Sequence, residues 1–498
     1  MIDRGVLVHT VSGTTRGDRK DDLAVFLGIP YAQPPVGALR FAAPRPPHTW
    51  DGVRDATDYG PPPPQSWPLP AAMPTGTEWL TLNVWSPDLG GARLPVLVWI
   101  HGGAYIAGAS SDPMYDAAPI ASHGLVVVTI NYRVGVEGFA QIEGAPANRG
   151  LLDQIAALEW VKRNISAFGG DPERITVAGQ SAGAGSIAAL LTMPRAVGLF
   201  GRAITHSVPG ACCTPALATD VTAALAARLG VSPTVAGLGS VDPQRIASAA
   251  GALMGDMPRY GKRWGRAAHW TMPFCPVLDG EVLPDTPWRA LGNRGAVDIE
   301  LLAGCNRDEF RLFMAMAGLL GKITEDHAEE ALRNFAPSIN GGRAYRAGYP
   351  DATAEGLFEI VHGDALFRMP TQRLAEAHSL TDGTAYLYEL GWPSPAQGGI
   401  LGACHSLDLP LLFGSFGSPA GRSVLGDQEP AAETLALAGQ IRRAWTRFAV
   451  TGDPGWPAHR PDQRLTHTLH TTPATTPYPH EPSRRIWDGH DIEPFDLL

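Results

Sequence analysis

Short, almost continuously apolar segments alternate along this chain with helical patterns. The strand-like segments are LPVLVWIHGG, GLVVVTINYRVG, RITVAGQS, IELLAGCN and AYLYELG, and each ends in turn residues. A strand that is apolar at nearly every position is buried on both faces, as in a mostly parallel sheet covered by helices. The alternation therefore predicts an α/β fold with a mostly parallel central sheet and helices on both faces.

The helical patterns suggest how the chain is organised. In LLDQIAALEWVKRNISAFGGDP the apolar residues recur every three or four positions, and Gly169 and Pro172 end the pattern. Helical patterns such as EDHAEEALRNFA and TQRLAEAHSL are dense between residues 310 and 400. We predict a single domain over residues 1–498, with a helical insertion or cap at about 310–400. The tail from about residue 451 is expected to be mostly irregular.

Charge and composition exclude several classes of partner. The chain of 498 residues has a formal net charge of −10 and no basic patch, which argues against nucleic acid and anionic membranes as partners. No apolar run approaches the roughly 20 residues of a membrane span. The first residues, MIDRGVLVHTVSG, lack the apolar core of a signal peptide, so a cytoplasmic protein is expected. Five irregularly spaced cysteines indicate neither a disulfide framework nor a zinc site.

The segment ITVAGQSAGAGS carries the first candidate for chemistry. It contains Gly179-Gln180-Ser181-Ala182-Gly183, a G-x-S-x-G match between a predicted strand and a predicted helix. In a nucleophile elbow the serine lies on a sharp, strained turn that exposes its hydroxyl above the sheet, and the glycines relieve crowding. A loop rich in small residues is the alternative, and a phosphate-binding loop lacks its lysine. The strand–turn–helix setting favours Ser181 as a nucleophile.

A second segment of small residues follows another predicted buried strand. In VWIHGGAYIAG, the residues His101-Gly102-Gly103-Ala104 lie just beyond the strand end. Their backbone N–H groups, with that of Ala182 after the serine, are suited to bind a developing oxyanion. A plain glycine turn is the alternative reading of this segment alone. His101 is expected to be a structural hydrogen-bonding residue rather than the base.

The acid and the base are sought downstream, because α/β-hydrolases order their triad as serine, then acid, then histidine. Asp308 and Glu309 both follow the strand IELLAGCN, and the residues alone leave open which carboxylate turns inward. His405, behind small residues and before an apolar run, is the predicted base, with His362 second. The other downstream histidines are expected to be exposed: His327, His378, His459, His467, His470, His480 and His490.

Taken in order, these segments resemble the type-B carboxylesterase/lipase family of α/β-hydrolases. The resemblance covers most of the chain, because FLGIPYAQPPVGALRF, TLNVWSP, NYRVG, AGCNRDEF and CHSLDLPLLFG also match family motifs at family-like intervals. It implies an α/β-hydrolase fold with Ser181 as nucleophile, His405 as base and Glu309 as acid. It also matches the family's oxyanion donors to Gly103, Ala104 and Ala182. Ser186 matches a serine beside the triad.

Two positions depart from the family pattern. Most relatives have glutamate where Gln180 stands, which should change local hydrogen bonding without removing the nucleophile. The family segment EDCL is TEWL here, so Trp79 replaces a cysteine and the corresponding disulfide cannot form. This departure agrees with a reduced, intracellular enzyme.

The resemblance implies two-step hydrolysis of a small-molecule carboxylic ester, with no metal or organic cofactor. A carbamate or amide hydrolase with the same triad is the nearest alternative. A non-catalytic binding protein is less favoured, because all three triad residues are present and no secretion signal is visible. A serine peptidase on the same fold is less favoured still. The substrate pocket is expected to involve residues 60–76 and 310–400, where Trp67, like Tyr105, could line a gorge or simply pack in the core. The natural substrate and the oligomeric state stay open.

Overall fold

The computed structural model describes residues 5–66, 73–270, 272–294, 298–381 and 383–498. The chain forms two compact units. The first comprises Met1–Ala203, Cys212–Thr286 and Phe495–Leu498, and the second comprises Ile204–Ala211 and Pro287–Pro494. The assignment of residues 1–498 to a single domain stays a prediction.

In the first unit, antiparallel strands lead into a parallel centre. The strand order is β1–β2–β3–β5–β7–β6–β8, with β4 beside β2. The pairs β1–β2, β2–β3, β3–β5 and β5–β7 are antiparallel, whereas β4 is parallel to β2 and β6 is parallel to both β7 and β8. The strands are β1 (Gly5–Thr10), β2 (Gly13–Lys20), β3 (Leu23–Pro30), β4 (Val53–Asp55), β5 (Thr81–Ser86), β6 (Leu94–Ile100), β7 (Val126–Ile130) and β8 (Gly170–Gln180).

The helices of the first unit include the one that the apolar spacing predicts most strongly. That helix, α3, ends at Asn164 and passes through one 3₁₀ turn to Gly169, whose φ of +83° stops it. The helices are α1 (Ala118–Ala121), α2 (Gly135–Phe139), α3 (Arg149–Asn164), α4 (Ala182–Leu190), α5 (Pro215–Leu229), α6 (Val235–Gly239), α7 (Pro243–Asp256), α8 (Gly261–Trp264) and α9 (Arg266–Trp270).

The second unit continues the α/β pattern. Its strand order is β9–β10–β11–β12–β13, in which β11 is parallel to β10 and β12, and β13 is antiparallel to β12. The strands are β9 (Arg202–His206), whose last three residues belong to this unit, β10 (Glu300–Asn306), β11 (Ala385–Leu390), β12 (Leu465–Leu469) and β13 (Ala474–Pro477).

Ten α-helices are described in the second unit. They are α10 (Pro287–Arg294), α11 (Arg311–Met316), α12 (Glu325–Phe335), α13 (Gly341–Gly348), α14 (Ala354–Gly363), α15 (Met369–Leu380), α16 (Asp408–Phe413), α17 (Pro419–Leu425), α18 (Ala432–Thr451) and α19 (Glu481–Ile486). A π-helical turn, Asp364–Arg368, joins α14 to α15. Within the predicted insertion, helices therefore occupy residues up to Leu380, and β11 follows.

The tail contains the short elements β12, β13 and α19, and most of its other residues are irregular, as the sequence predicts. Two histidines expected to be exposed are buried. The Nε2 atom of His378 lies 2.8 Å from the carbonyl oxygen of Ile299, and the Nδ1 atom of His459 lies 3.2 Å from that of Leu465. Burial lowers the pKa of both imidazoles. The expected exposure of these two histidines was wrong. Tertiary packing buries their rings against carbonyl oxygens, and the local sequence does not show this.

The replaced cysteine position and the free thiols are accommodated in the core. Trp79 is buried, and its indole N–H donates to the carbonyl oxygen of Gly76 at 2.9 Å. All five cysteines are buried free thiols.

Within the described ranges, no helix is both long enough and apolar enough to cross a membrane.

The start of α4 approaches β6 without room for a side chain. A Cβ atom on Gly183 would lie 2.0 Å from the carbonyl oxygen of Ile100. We expect Gly183→Ala to lower the free energy of unfolding by about 1–3 kcal/mol or more, because backbone must move. The matched change Gly255→Ala, in α7 where nothing lies within 4 Å, should raise it by about 0.5–1 kcal/mol. Urea unfolding of both variants measures this, and equal effects would contradict the close approach.

Glu359, on α14, makes stability depend on pH. Burial raises its pKa from 4.5 to about 7, although the charge of Arg368 opposes this rise. The folded protein therefore keeps a proton that the unfolded chain releases near pH 4.5. As a result, the free energy of unfolding falls as the pH rises from about 4.5 to about 7. We expect Glu359→Gln to gain up to about 3 kcal/mol relative to wild type at pH 8 compared with pH 4. Unfolding at both pH values, with Glu355→Gln as a control on the same helix, tests this; parallel curves would contradict it.

Candidate active site

Ser181 lies on a strained turn between β8 and α4. Its backbone has φ 55° and ψ −124°, a conformation that costs a non-glycine residue about 1–3 kcal/mol. The small neighbours make this turn possible: a Cβ atom on Gly179 would lie 2.7 Å from the carbonyl oxygen of Ile100. A Cβ atom on Gly102 would lie 3.2 Å from that of Ser181. The segment thus has the strand–turn–helix geometry that G-x-S-x-G predicts.

The loop after β6 presents backbone N–H groups in an unusual conformation. Gly103, Ala104 and Tyr105 have φ values of 116°, 56° and 60°. The carbonyl oxygen of Gly103 accepts the N–H groups of Ile106 and Ala107 at 3.0 and 2.9 Å, which closes the loop. In the part of the chain that the structure describes, the N–H groups of Gly103 and Ala104 meet no acceptor, so they can donate to an anionic oxygen.

His101 supports this loop from the core. Its ring is fully buried, stacks on Tyr132 with centroids 4.4 Å apart, and places Nδ1 2.8 Å from the carbonyl oxygen of Gly102. Burial lowers the pKa of His101 to about 4. The imidazole is therefore neutral near pH 7 and donates to that carbonyl, which agrees with a structural role.

Tyr105 and Ser186 join the loop to the helices behind it. The hydroxyl of Ser186, on α4, accepts the side-chain amide of Gln154 at 3.0 Å and is hydrogen-bonded to the Tyr105 hydroxyl. Tyr105 is 1% exposed and packs edge-on against Phe139, so it belongs to the core. Trp67, the other aromatic considered for the pocket, lies outside the described residues.

The second unit holds a buried carboxylate–imidazole pair. The Oε2 atom of Glu309 is 2.5 Å from Nδ1 of His405, and both side chains are almost fully buried. The other oxygen, Oε1, accepts the hydroxyl of Ser207 at 2.5 Å and the N–H of Asn306 at 2.7 Å. Asp308 instead accepts the N–H of Ala403 at 2.7 Å. Glu309 is thus the carboxylate that meets the imidazole.

Other residues near this pair were missed or ranked second. Ser207, Asn306 and the buried pair His206–Asp408 were not identified from the sequence, although RAITHS reads as another short apolar strand that ends in polar residues. His362, the second candidate for the base, stacks on Phe310 with centroids 4.2 Å apart, and its Nδ1 lies 2.7 Å from a carbonyl oxygen of its own helix.

The fold and these two groups of residues define a class of protein. A serine on a strained strand-to-helix turn, a loop with available N–H groups and a buried Glu–His pair are the components of a serine hydrolase with an α/β-hydrolase fold.

Comparisons with known proteins place the chain within that class. A sequence model of the carboxylesterase family matches residues 4–477. The chain is 37% identical over 481 residues to the para-nitrobenzyl esterase of Bacillus subtilis (strain 168), covering 93% of this chain and 94% of the relative. It is 36% identical over 481 residues to the phenmedipham hydrolase of Pseudarthrobacter oxydans, with the same coverage.

A solved structure gives the same result. The crystal structure of a carboxylesterase from Geobacillus stearothermophilus matches with a TM-score of 0.85 at 34% identity, covering 97% of this chain and 99% of that chain. The chain belongs to the carboxylesterase family. The predicted α/β-hydrolase fold is confirmed, and the protein is a serine carboxylic ester hydrolase.

The hydroxyl of Ser207 should matter for stability because it donates to a buried carboxylate. We expect Ser207→Ala to lower the free energy of unfolding by about 1.5–3 kcal/mol, as for hydrogen bonds to charged groups. Ser394 is a matched control in the same unit: it is buried and donates to the neutral carbonyl oxygen of Val424. Ser394→Ala should cost about 0.5–1.5 kcal/mol. Denaturant unfolding measures both, and a smaller loss for Ser207→Ala would contradict the expectation.

Proposed function

We propose that this carboxylesterase acts through a triad of Ser181, Glu309 and His405 and an acyl-enzyme intermediate. The observation that carries the proposal is the backbone of Ser181, at φ 55° and ψ −124°. Such a conformation persists where surrounding packing holds it, and it is concentrated at active sites. The order of the three residues along the chain and the family of the protein support the same assignment.

In the first step, His405 takes the proton of the Ser181 hydroxyl as its oxygen attacks the ester carbonyl carbon. The carbonyl oxygen becomes an oxyanion, to which the N–H groups of Gly103, Ala104 and Ala182 donate. The intermediate then collapses, the carbon–oxygen bond to the alcohol breaks, and His405 returns the proton to the leaving oxygen. The product of this step is an ester between the acyl group and Ser181.

In the second step, water hydrolyses that ester. His405 removes a proton from the water, whose oxygen attacks the acyl carbon, and the same N–H groups stabilise the second oxyanion. Collapse releases the carboxylic acid and returns the proton to the Ser181 oxygen. Glu309 holds the imidazole in the Nδ1–H tautomer and stabilises its cation in both steps.

The protein orders these groups before substrate arrives. The N–H of Ala182 is the first of α4, so it is available and lies at the positive end of the helix dipole. The positive φ values at Gly103 and Ala104 fix the other two donors. Because no reorganisation is then needed during the reaction, each donor is worth about 10²–10³ in rate.

Carbamates are a second candidate class of substrate. One relative, 36% identical over nearly the whole chain, is a phenmedipham hydrolase, and phenmedipham is an aryl carbamate. Attack by Ser181 on a carbamate carbonyl would form a carbamoyl-enzyme with the same base and oxyanion donors.

A cytoplasmic location and the absence of a nucleic-acid partner stay predictions.

Replacing the nucleophile tests the proposal. We expect Ser181→Ala to lower kcat for para-nitrophenyl acetate and butyrate by at least about 10³-fold, because no covalent acyl-enzyme can form. Ser423→Ala, at an exposed serine of α17, is the matched control and should retain full activity. Released para-nitrophenolate is followed by absorbance, and equal turnover by Ser181→Ala and wild type would reject the triad. An aryl carbamate assayed in parallel decides between the two substrate classes.

A further inference from the structure

A second buried imidazole–carboxylate pair lies beside Glu309 and His405 in the second unit. The Nδ1 atom of His206 is 2.5 Å from Oδ2 of Asp408, and their side chains are 1% and 3% exposed. Asp408 begins α16, three residues after His405. The proposed reaction gives this pair no step, so its place next to the base calls for a physical explanation.

The protonation state of His206 follows from its other neighbour. Trp445 places its indole Nε1 2.8 Å from Nε2 of His206. An indole nitrogen only donates, so Nε2 of His206 must accept and cannot carry a proton. The proton of the neutral imidazole is therefore on Nδ1, where it is donated to Asp408. The pair is a neutral imidazole with a carboxylate, and it retains one full negative charge.

Asp408 is held in its ionised form. Burial alone would raise its pKa, but the hydrogen bonds from His206 and Asn306 lower the pKa below its usual value. The side-chain amide of Asn306 lies 3.2 Å from Oδ1 of Asp408. The backbone N–H of Asn306 donates to Glu309, so one residue connects the two carboxylates.

The end of β9 holds both carboxylates at once. His206 donates to Asp408, and the next residue, Ser207, donates to Glu309. Ser207 lies just beyond β9 with φ 58°, so two adjacent residues at one strand end serve two different carboxylates. The carboxylates of Glu309 and Asp408 therefore both lie close to the imidazole of His405, which becomes a cation in the proposed reaction.

The other titratable groups around this cluster are either neutral or partly exposed to solvent. Burial raises the pKa of Cys404 to about 12 and raises the pKa values of Cys305 and Tyr388 well above their usual range. These three groups therefore stay neutral between pH 5 and 9. Asp308 is partly exposed and adds a more screened charge.

We propose that Asp408, held by His206 and Asn306, is a positioning residue that favours the imidazolium form of His405. Its negative charge lowers the energy of the cation that forms when Ser181 loses its proton. Asp408 does not touch the reacting atoms and acts through His405. The inference rests on the proposed function, since it assigns His405 as the base.

The pH dependence of kcat/KM for para-nitrophenyl acetate tests the proposal. Asp408→Asn removes the charge and keeps the shape, so the acidic limb of the profile should move toward lower pH by roughly 0.5 to 1. The plateau in kcat should fall by about threefold to tenfold, because a change of 0.5 to 1 in the pKa of the base corresponds to that change in an equilibrium constant. Asp408→Glu restores the charge and should restore the position of the limb.

A matched control separates this charge effect from general destabilisation. Glu389 is also a buried carboxylate that meets an imidazole, with Oε2 2.5 Å from Nε2 of His480. Glu389→Gln should lower the melting temperature and leave the acidic limb in place. An equal movement of the limb in Glu389→Gln would overturn the proposal, because the effect would then not belong to Asp408.

A second variant keeps the proposal testable if Asp408→Asn does not fold. Trp445→Phe removes the indole donor, which lets His206 take a second proton in acid and cancel the charge of Asp408. The limb should then move in the same direction by a smaller amount, and an unmoved limb in a folded variant overturns the proposal. Ser181→Ala separates the two hypotheses: undiminished turnover by it rejects the triad, whereas lost turnover with an unmoved limb in Asp408→Asn rejects only the role of Asp408.

Discussion

The approach of α4 to β6 is the constraint on which the nucleophile turn depends. Gly183 lies so close to the carbonyl oxygen of Ile100 that a Cβ atom there would be only 2.0 Å away. This contact fixes where α4 begins, and the chain must then reverse within one residue after β8. Ser181 occupies that residue and takes the strained conformation. The small residues around it are therefore a consequence of backbone packing before they are a feature of chemistry.

In the second unit the corresponding constraint is the burial of carboxylates. A buried carboxylate is costly unless hydrogen bonds or opposite charges satisfy it. Glu309 meets Ser207, Asn306 and His405, and Asp408 meets His206 and Asn306. These partners come from a strand end, the end of the next strand and one loop. Satisfying the carboxylates therefore also fixes the position of the imidazole that we assign as the base.

How far the sequence predicts this site depends on whether the relevant contacts are local. The elbow at Ser181 is a feature of five consecutive residues, so its strand–turn–helix setting can be read directly. The residues alone do not decide between Asp308 and Glu309, and only the family resemblance implies Glu309. The contact that distinguishes the two comes from the N–H of Ala403, almost a hundred residues away, which donates to Asp308. Ser207 was missed for the same reason, since its partner Glu309 is 102 residues further on.

The histidines show why burial and hydrogen bonding, rather than residue type, separate a base from a structural group. His101 and His378 each face a backbone carbonyl, which fixes a tautomer but adds no negative charge, and burial lowers both pKa values. His206 has a carboxylate, yet the indole N–H of Trp445 occupies the nitrogen that would have to accept a proton. His405 combines a carboxylate on Nδ1 with the Nε2 atom that the proposed mechanism requires. A general base in this fold therefore needs an anionic partner on one nitrogen and a second nitrogen that can accept the proton of the nucleophile.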